Sequence, residues 1–233
     1  MYFVNWQRDV SLEEQNGQKV MVKRNKPTKQ FHEFLIIYVY SLISILLFHP
    51  SAPPTFSEII RNEGYEMRNN LKKIGISTPR LLSMSGTNLI EEYIEGGNLY
   101  WVLASGGDIM LAYKAGCITG KLHEAGYTFV DNKAQNYLVR GNSVIRTDLG
   151  FMKKTYSHYS RSMDIGSFLA SVIDLERYGE IVKSFHDGYL SESGSKLSYL
   201  SIVIRNVLSV GFSSSSKTTL RNMLLDSRTL IGI

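Results

Sequence analysis

The chain has 233 residues, of which 43% are hydrophobic and 20% charged, with a formal charge of +5. A chain of this length suffices for one large domain or one two-lobed unit, burying roughly 70% of its unfolded surface. Its ordinary composition, with only five prolines, excludes disorder over most of its length. The single cysteine, Cys117, excludes an intrachain disulfide framework and fits a reducing, cytoplasmic setting. Five histidines without a clustered His/Cys pattern argue against zinc. The basic excess is mild and scattered, apart from Lys23, Arg24, Lys26 and Lys29, so it leaves nucleic-acid contact open.

In chain order, Met1 leads into MYFVNWQRD rather than a basic and then apolar run, so no signal peptide is read there. NGQ, Asn16 to Gln18, signals a hairpin turn into the strand KVMVKR, Lys19 to Arg24. FLIIYVYSLISILLF, Phe34 to Phe48, is fifteen uncharged residues. As a helix it would reach roughly 22 Å, short of the ~20 residues a bilayer requires. A packed helix inserted in the first lobe is therefore favoured over membrane contact. HPSAPP breaks regular structure, and FSEIIRNEGYEMRNNLKKIG has helical spacing at Ile59, Ile60, Met67, Leu71 and Ile74, with Gly75 as its stop.

STPRLLSMSG and TNLIEEYIEG read as two strands, the second ending at the joint Gly96-Gly97. DIMLAYKAGCITGKLHEAG is a helix ending near Gly126, followed by short strands QNYLV and SVIRT. MDIGSFLASVIDLERYG, EIVKSFHDGYL and SYLSIVIRNVLSVGF read as helices. SSSSKTTLRN, Ser213 to Asn222, reads as a polar loop without the glycines and GK pair of a P-loop. The expected class is α+β, with a strand-rich lobe over residues 1–95 and a mainly helical lobe over 96–233.

Chemistry concentrates in HEAGYTFVDNKAQNYLVRGNSVIRTDLG, His123 to Gly150. A strand–turn–strand between Asp131 and Asp148 can return the chain so that both acids converge. Paired carboxylates with the neutral oxygen of Asn136 suit Mg²⁺, which prefers oxygen ligands and keeps waters. Lys133 adds positive charge beside them. Such a set suits phosphoryl transfer, in which a carboxylate orients the attacking hydroxyl and cations stabilise the moving group.

With LHEAG, FVDNKAQN and TDLG, the segment resembles the catalytic core of the protein-kinase-like superfamily. VMVK, Val20 to Lys23, resembles its strand-lysine motif, and LIEEYIEGGNL, Leu89 to Leu99, its interlobe hinge. The run through GISTPRLL looks most like the small atypical kinases, the RIO group and the kinase of the KEOPS complex. The resemblance spans roughly residues 19–190. It implies a two-lobed fold with a reduced activation segment, and ATP- and Mg-dependent transfer, most simply to a protein serine or threonine.

The implied roles are residue-specific. Asp131 orients the acceptor hydroxyl, Lys133 meets the moving phosphoryl, and Asn136 and Asp148 hold Mg²⁺. Lys23 binds the α and β phosphates, supported by a helix carboxylate, Glu63 in preference to Glu66. The main chain of Glu92, Tyr93 and Ile94 receives adenine, with Val22, Leu138 and Ile145 as apolar surroundings. His123 is a structural hydrogen-bonding residue, and Asp164 resembles the buried aspartate that ties down the catalytic loop.

Three departures stand out. No G-x-G-x-x-G precedes Lys23, and Phe129-Val130 replaces the usual His-Gly or His-Arg. Glu91 occupies a position that is usually apolar, where it competes with Glu63 for Lys23. The expected partners are a protein substrate and regulatory proteins. A noncatalytic interaction protein, a small-molecule kinase and a partner-dependent ATPase are the competing readings.

Overall fold

A computed structural model describes residues 8–25, 40–48, 50–212 and 217–231. Its first part is an antiparallel sheet of β1 (Arg8–Gln15), β2 (Gln18–Asn25), β3 (Leu81–Ser85) and β4 (Asn88–Glu92), in the order β1-β2-β4-β3. Asn16 and Gly17 both take positive φ, 52° and 74°. That is the two-residue turn whose twist matches the flanking strands. β2 pairs with β4 in the register Met21↔Glu91 and Lys23↔Leu89. Lys23 and Glu91 therefore lie diagonally on one face of the sheet.

Between β2 and β3 the chain forms α1 (residues 40–46), α2 (Phe56–Glu63) and α3 (Tyr65–Lys73). Thr55 and Glu58 close a capping box at the start of α2. The single helix expected from Phe56 to Gly75 is in fact two helices. Gly64 is extended, at φ −76° and ψ 175°, and breaks the ladder. The Arg68 Nε–H donates to the Glu63 carbonyl at 3.1 Å, replacing a partner that the interrupted helix loses. Gly75, with φ +76°, follows the end of α3 as expected.

The second part is mainly helical: α4 (Leu99–Ala104), α5 (Met110–Glu124), α6 (His158–Ser171), α7 (Tyr178–Ser193), α8 (Tyr199–Phe212) and α9 (Lys217–Ile231). Two small two-stranded sheets complete it. β5 (Tyr127–Thr128) pairs with β8 (Lys153–Lys154), and β6 (Tyr137–Arg140) with β7 (Ser143–Arg146). The α+β class is thus observed, with the sheet and the helical part meeting across a cleft, as the kinase-like resemblance implies.

Only part of the apolar segment 34–48 falls within the described residues; 34–39 lie outside them. Residues 40–46 do not cover the sheet. Tyr40 and Ile43 pack with Tyr159, Met163, Ile204 and Leu208 of α6 and α8. The Tyr159 hydroxyl donates to the Tyr40 carbonyl at 2.6 Å. No helix among the described residues is long and apolar enough to cross a membrane. The expected loop at 213–222 is also revised. Residues 213–216 lie outside the described set, but α9 begins at Lys217. Asn222 Nδ2 donates to the Ile173 and Leu175 carbonyls at 2.6 and 3.2 Å. A polar side chain that reads as loop chemistry here docks a helix onto exposed main-chain acceptors.

The helical core is set by the approach of α5 to α7. A Cβ on Gly116 would lie 2.0 Å from the Phe185 carbonyl oxygen, and one on Gly188 would lie 2.0 Å from that of Tyr113. The two glycines let the backbones touch, and Phe185 stacks on Phe168 of α6 with centroids 4.0 Å apart. We expect Gly188→Ala to cost about 3 kcal/mol or more through overpacking. Urea unfolding reads this directly, and an unchanged midpoint would contradict the close approach.

Candidate functional site

The linker after β4 turns at Gly97, with φ +75°, and runs against β6. The Val139 N–H donates to the Gly97 carbonyl at 2.9 Å. This contact brings the β6–β7 hairpin, and the loops at its base, under the edge of the sheet. A cleft of about 310 Å³ lies between them, at the lower end of the range for small-molecule sites. Its walls include Lys23, Glu92, Tyr93, Ile94, Asp131, Lys133, Asn136 and Asp148. These eight residues, expected to meet adenine, phosphate or metal, therefore share one cavity, and Glu63 does not line it.

The loop carrying Asp131 is held from beneath. Asp164 of α6 is fully buried. Its carboxylate accepts the Phe129 and Val130 N–H groups at 2.6 and 2.5 Å, and lies 3.0 Å from His123 Nε2. The other ring nitrogen of His123 meets the Tyr189 hydroxyl at 3.0 Å. His123 thus sits in a buried structural network. The apolar pair Phe129-Val130 takes its anchoring through main-chain amides, so side-chain polarity is not needed there. Asn132 is buried beside Asp131 and bonds Thr119 and the Tyr137 hydroxyl. Burial pushes the Tyr137 hydroxyl up to about 12, so it stays protonated and able to donate to Asn132.

Above the loop, Lys133 Nζ pairs with Asp131 Oδ1 at 2.9 Å. Asn136 Nδ2 donates to the Asp131 carbonyl at 2.9 Å. With its amide nitrogen engaged, the Asn136 side chain has its oxygen left as a ligand atom. Asp148 takes a left-handed conformation at φ 58°, a strained setting for a non-glycine residue. Among the described residues there is no group of three or more His, Cys, Asp or Glu that could hold a metal. One carboxylate and one amide oxygen still fit Mg²⁺ bound with phosphate oxygens and water.

The lysine support differs from the expectation. Lys23 Nζ pairs with Glu91 Oε2 at 2.8 Å and donates to Thr147 Oγ1 at 2.9 Å. The Glu63 carboxylate accepts the Gly150 N–H at 2.9 Å and meets Arg68 Nη2 at 3.3 Å. Arg68 also binds Glu91 and donates to the Pro79 carbonyl at 2.6 Å. The helix acid therefore steadies the segment after Asp148, and a strand acid supports the lysine. The reason is geometric: Glu91 is already on the Lys23 face of the sheet, two residues along the neighbouring strand. Asn62, beside Glu63, donates to the Gly150 and Met152 carbonyls at 2.9 and 2.7 Å.

The apolar walls also shift. Leu138 lines the cleft as expected, but Val10 and Met21 stand where Val22 was placed. Val22 and Ile145 are buried and do not line it. Strand alternation decides this, because Met21 shares the Lys23 face and Val22 points the other way. Arg68, Arg146, Thr147 and Asn62 were not anticipated. Only Arg146 left a trace in the sequence, as a cation ending an otherwise apolar strand.

No family model matches the chain, and no curated protein matches it. A solved structure described as WaaP in complex with acyl carrier protein is similar over 89% of this chain and 82% of that one. The identity is 13% and the TM-score 0.49.

Burial alone pushes the Glu91 carboxyl up, but the charges of Lys23 and Arg68 overcome it and hold the group below its ordinary 4.5. The unfolded chain then binds the Glu91 proton at higher pH than the folded one. This stability is present above about pH 4.5 and is lost as pH falls through the lower folded value. Glu91→Gln leaves buried Lys23 without its carboxylate and Arg68 with Glu63 alone, and should cost about 3–5 kcal/mol near neutral pH. It should also flatten this part of the acid limb. Urea unfolding from pH 3 to 7 checks both; parallel wild-type and variant curves would refute the assignment.

Proposed function

We propose that this chain is an ATP- and Mg-dependent phosphotransferase of protein-kinase-like type, divided into lobes at residues 95/96. The carrying observation is the convergence of Lys23, Asp131, Lys133, Asn136 and Asp148 on one cleft. These residues come from three separate stretches of the chain, and their types match what phosphoryl transfer requires. In this reading the adenine edge lies against the main chain of Tyr93 and Ile94. The neighbouring Glu92 N–H already donates to the Arg80 carbonyl at 2.9 Å. Val10, Met21 and Leu138 cover the base. Lys23, aimed by Glu91, holds the inner phosphates.

Asp148 and Asn136 would hold Mg²⁺, which supplies charge neutralisation at the phosphate oxygens. Asp131 orients the acceptor hydroxyl and takes its proton as the new O–P bond forms and the bond to the ADP oxygen breaks. Lys133, paired with Asp131 in the resting site, follows the charge onto the transferred group. The proposed acceptor is a protein serine or threonine, as in the atypical kinases of the RIO and KEOPS type. A small-molecule hydroxyl is the second reading. It is favoured by the short segment from Asp148 to α6, pinned by Asn62, Glu63 and the β5–β8 pairing, which leaves little chain to hold an extended peptide.

Transfer of labelled γ-phosphate from ATP to a basic protein, and in parallel to sugar acceptors, tests the proposal. Asp131→Asn should lower the rate about 10²–10⁴-fold with nucleotide binding kept. Lys23→Met should raise the ATP concentration needed for half-maximal rate. A wild-type chain that neither transfers phosphate nor binds ATP with a divalent ion would end this reading.

A further inference from the structure

Arg146 closes β7, two residues before Asp148, and is fully buried. Its Nη1 donates to the Asn136 carbonyl at 3.2 Å. Its Nη2 donates to the Asp131 carbonyl at 3.0 Å and reaches the Asp148 carbonyl at 3.4 Å. The guanidinium carbon lies 4.1 Å from the Phe129 ring centroid and 4.9 Å from that of Tyr137. Its own N–H donates to the Ser77 carbonyl at 2.8 Å, ahead of β3.

Two features set this residue apart. No carboxylate among the described residues forms an ion pair with it, whereas buried arginines are usually paired. The desolvated charge is offset instead by carbonyl dipoles and two aromatic faces. The carbonyls it gathers belong to three residues to which the proposed reaction assigns chemistry, from two separate loops. A planar fork with fixed donor directions sets the spacing between such groups, and a lysine, a point charge on a flexible stem, does not.

We infer that Arg146 is the positioning residue of this site: from below the cleft it fixes Asp131, Asn136 and Asp148 relative to one another, so that the proton-accepting and metal-binding oxygens face one point. The inference rests on the phosphotransferase reading. It explains how Phe129-Val130 replaces a polar pair without loosening the loop. Phe129 gives its amide to Asp164 and its ring to Arg146.

The test compares the wild-type chain, Arg146→Lys and Phe129→Leu. Thermal unfolding establishes that each is folded, electron paramagnetic resonance measures Mn²⁺ affinity in the presence of ATP, and steady-state kinetics gives kcat and KM. For folded Arg146→Lys we expect Mn²⁺ affinity to fall about 10-fold or more, as when a partner that orients a metal ligand is lost. The kcat should fall by up to about 10²-fold, with KM for ATP within about twofold, since Lys23 and the linker are untouched. Phe129→Leu, which removes one stacking face, should shift both values in the same direction by less.

A folded Arg146→Lys with unchanged kcat and Mn²⁺ affinity overturns the assignment and leaves the phosphotransferase reading standing. If that variant does not fold, a folded Phe129→Leu with wild-type values overturns it equally. A wild type that binds no Mn²⁺ with ATP overturns both.

Discussion

The structure depends on a buried chain of alternating charges: Lys23, Glu91, Arg68 and Glu63. It begins on β2, crosses to β4, passes through α3 to the end of α2, and finishes on the Gly150 N–H. Each of these groups would be costly to bury alone, because desolvation of an ion exceeds what one neutral partner returns. Together they satisfy one another and fix three separately folded pieces at one place. The break at Gly64 belongs to this arrangement. It turns Glu63 and Arg68 inward from two helices, where an unbroken helix would carry them around its own axis.

A second set of constraints lies under the cleft. Asp164 holds the loop carrying Asp131 through two amides, and Arg146 holds it through carbonyls. The loop is gripped through its main chain, so the side chains of Asp131, Lys133 and Asn136 can line the cleft. The positive φ of Asp148 fits the same design. A left-handed residue persists only where its surroundings over-determine it, and here Glu63, Asn62 and Arg146 all bond main-chain groups of residues 148–152.

Much of the fold was legible because periodicity and turn chemistry act locally. Asn16-Gly17 forms its hairpin, Gly97 takes a positive φ after β4, and the D-x-K-x-x-N and D-x-G runs stand in loops beside a short hairpin. Glu91 was recognisable as a misfit, a carboxylate in an apolar position. That it takes the lysine from Glu63 was not decidable, because the helix break that redirects Glu63 depends on long-range partners at Gly150. Met21 takes the wall expected for Val22 because strand parity decides which face lines the cleft. Lys217–Asn222 reads as loop from its polar composition, yet it folds as helix where Asn222 meets the Ile173 and Leu175 carbonyls.

By itself the sequence determined the α+β class, the succession of the strands along the chain and most of the polar residues that line the cleft. These follow from spacing along the chain and from the limited conformations that glycine, asparagine and alternating apolar residues permit. Only the tertiary structure decided which acid serves Lys23, which arginines fall beneath the site, and which helices touch through Gly116 and Gly188. Those outcomes depend on groups far apart in sequence competing for the same buried partners, and burial makes that competition decisive.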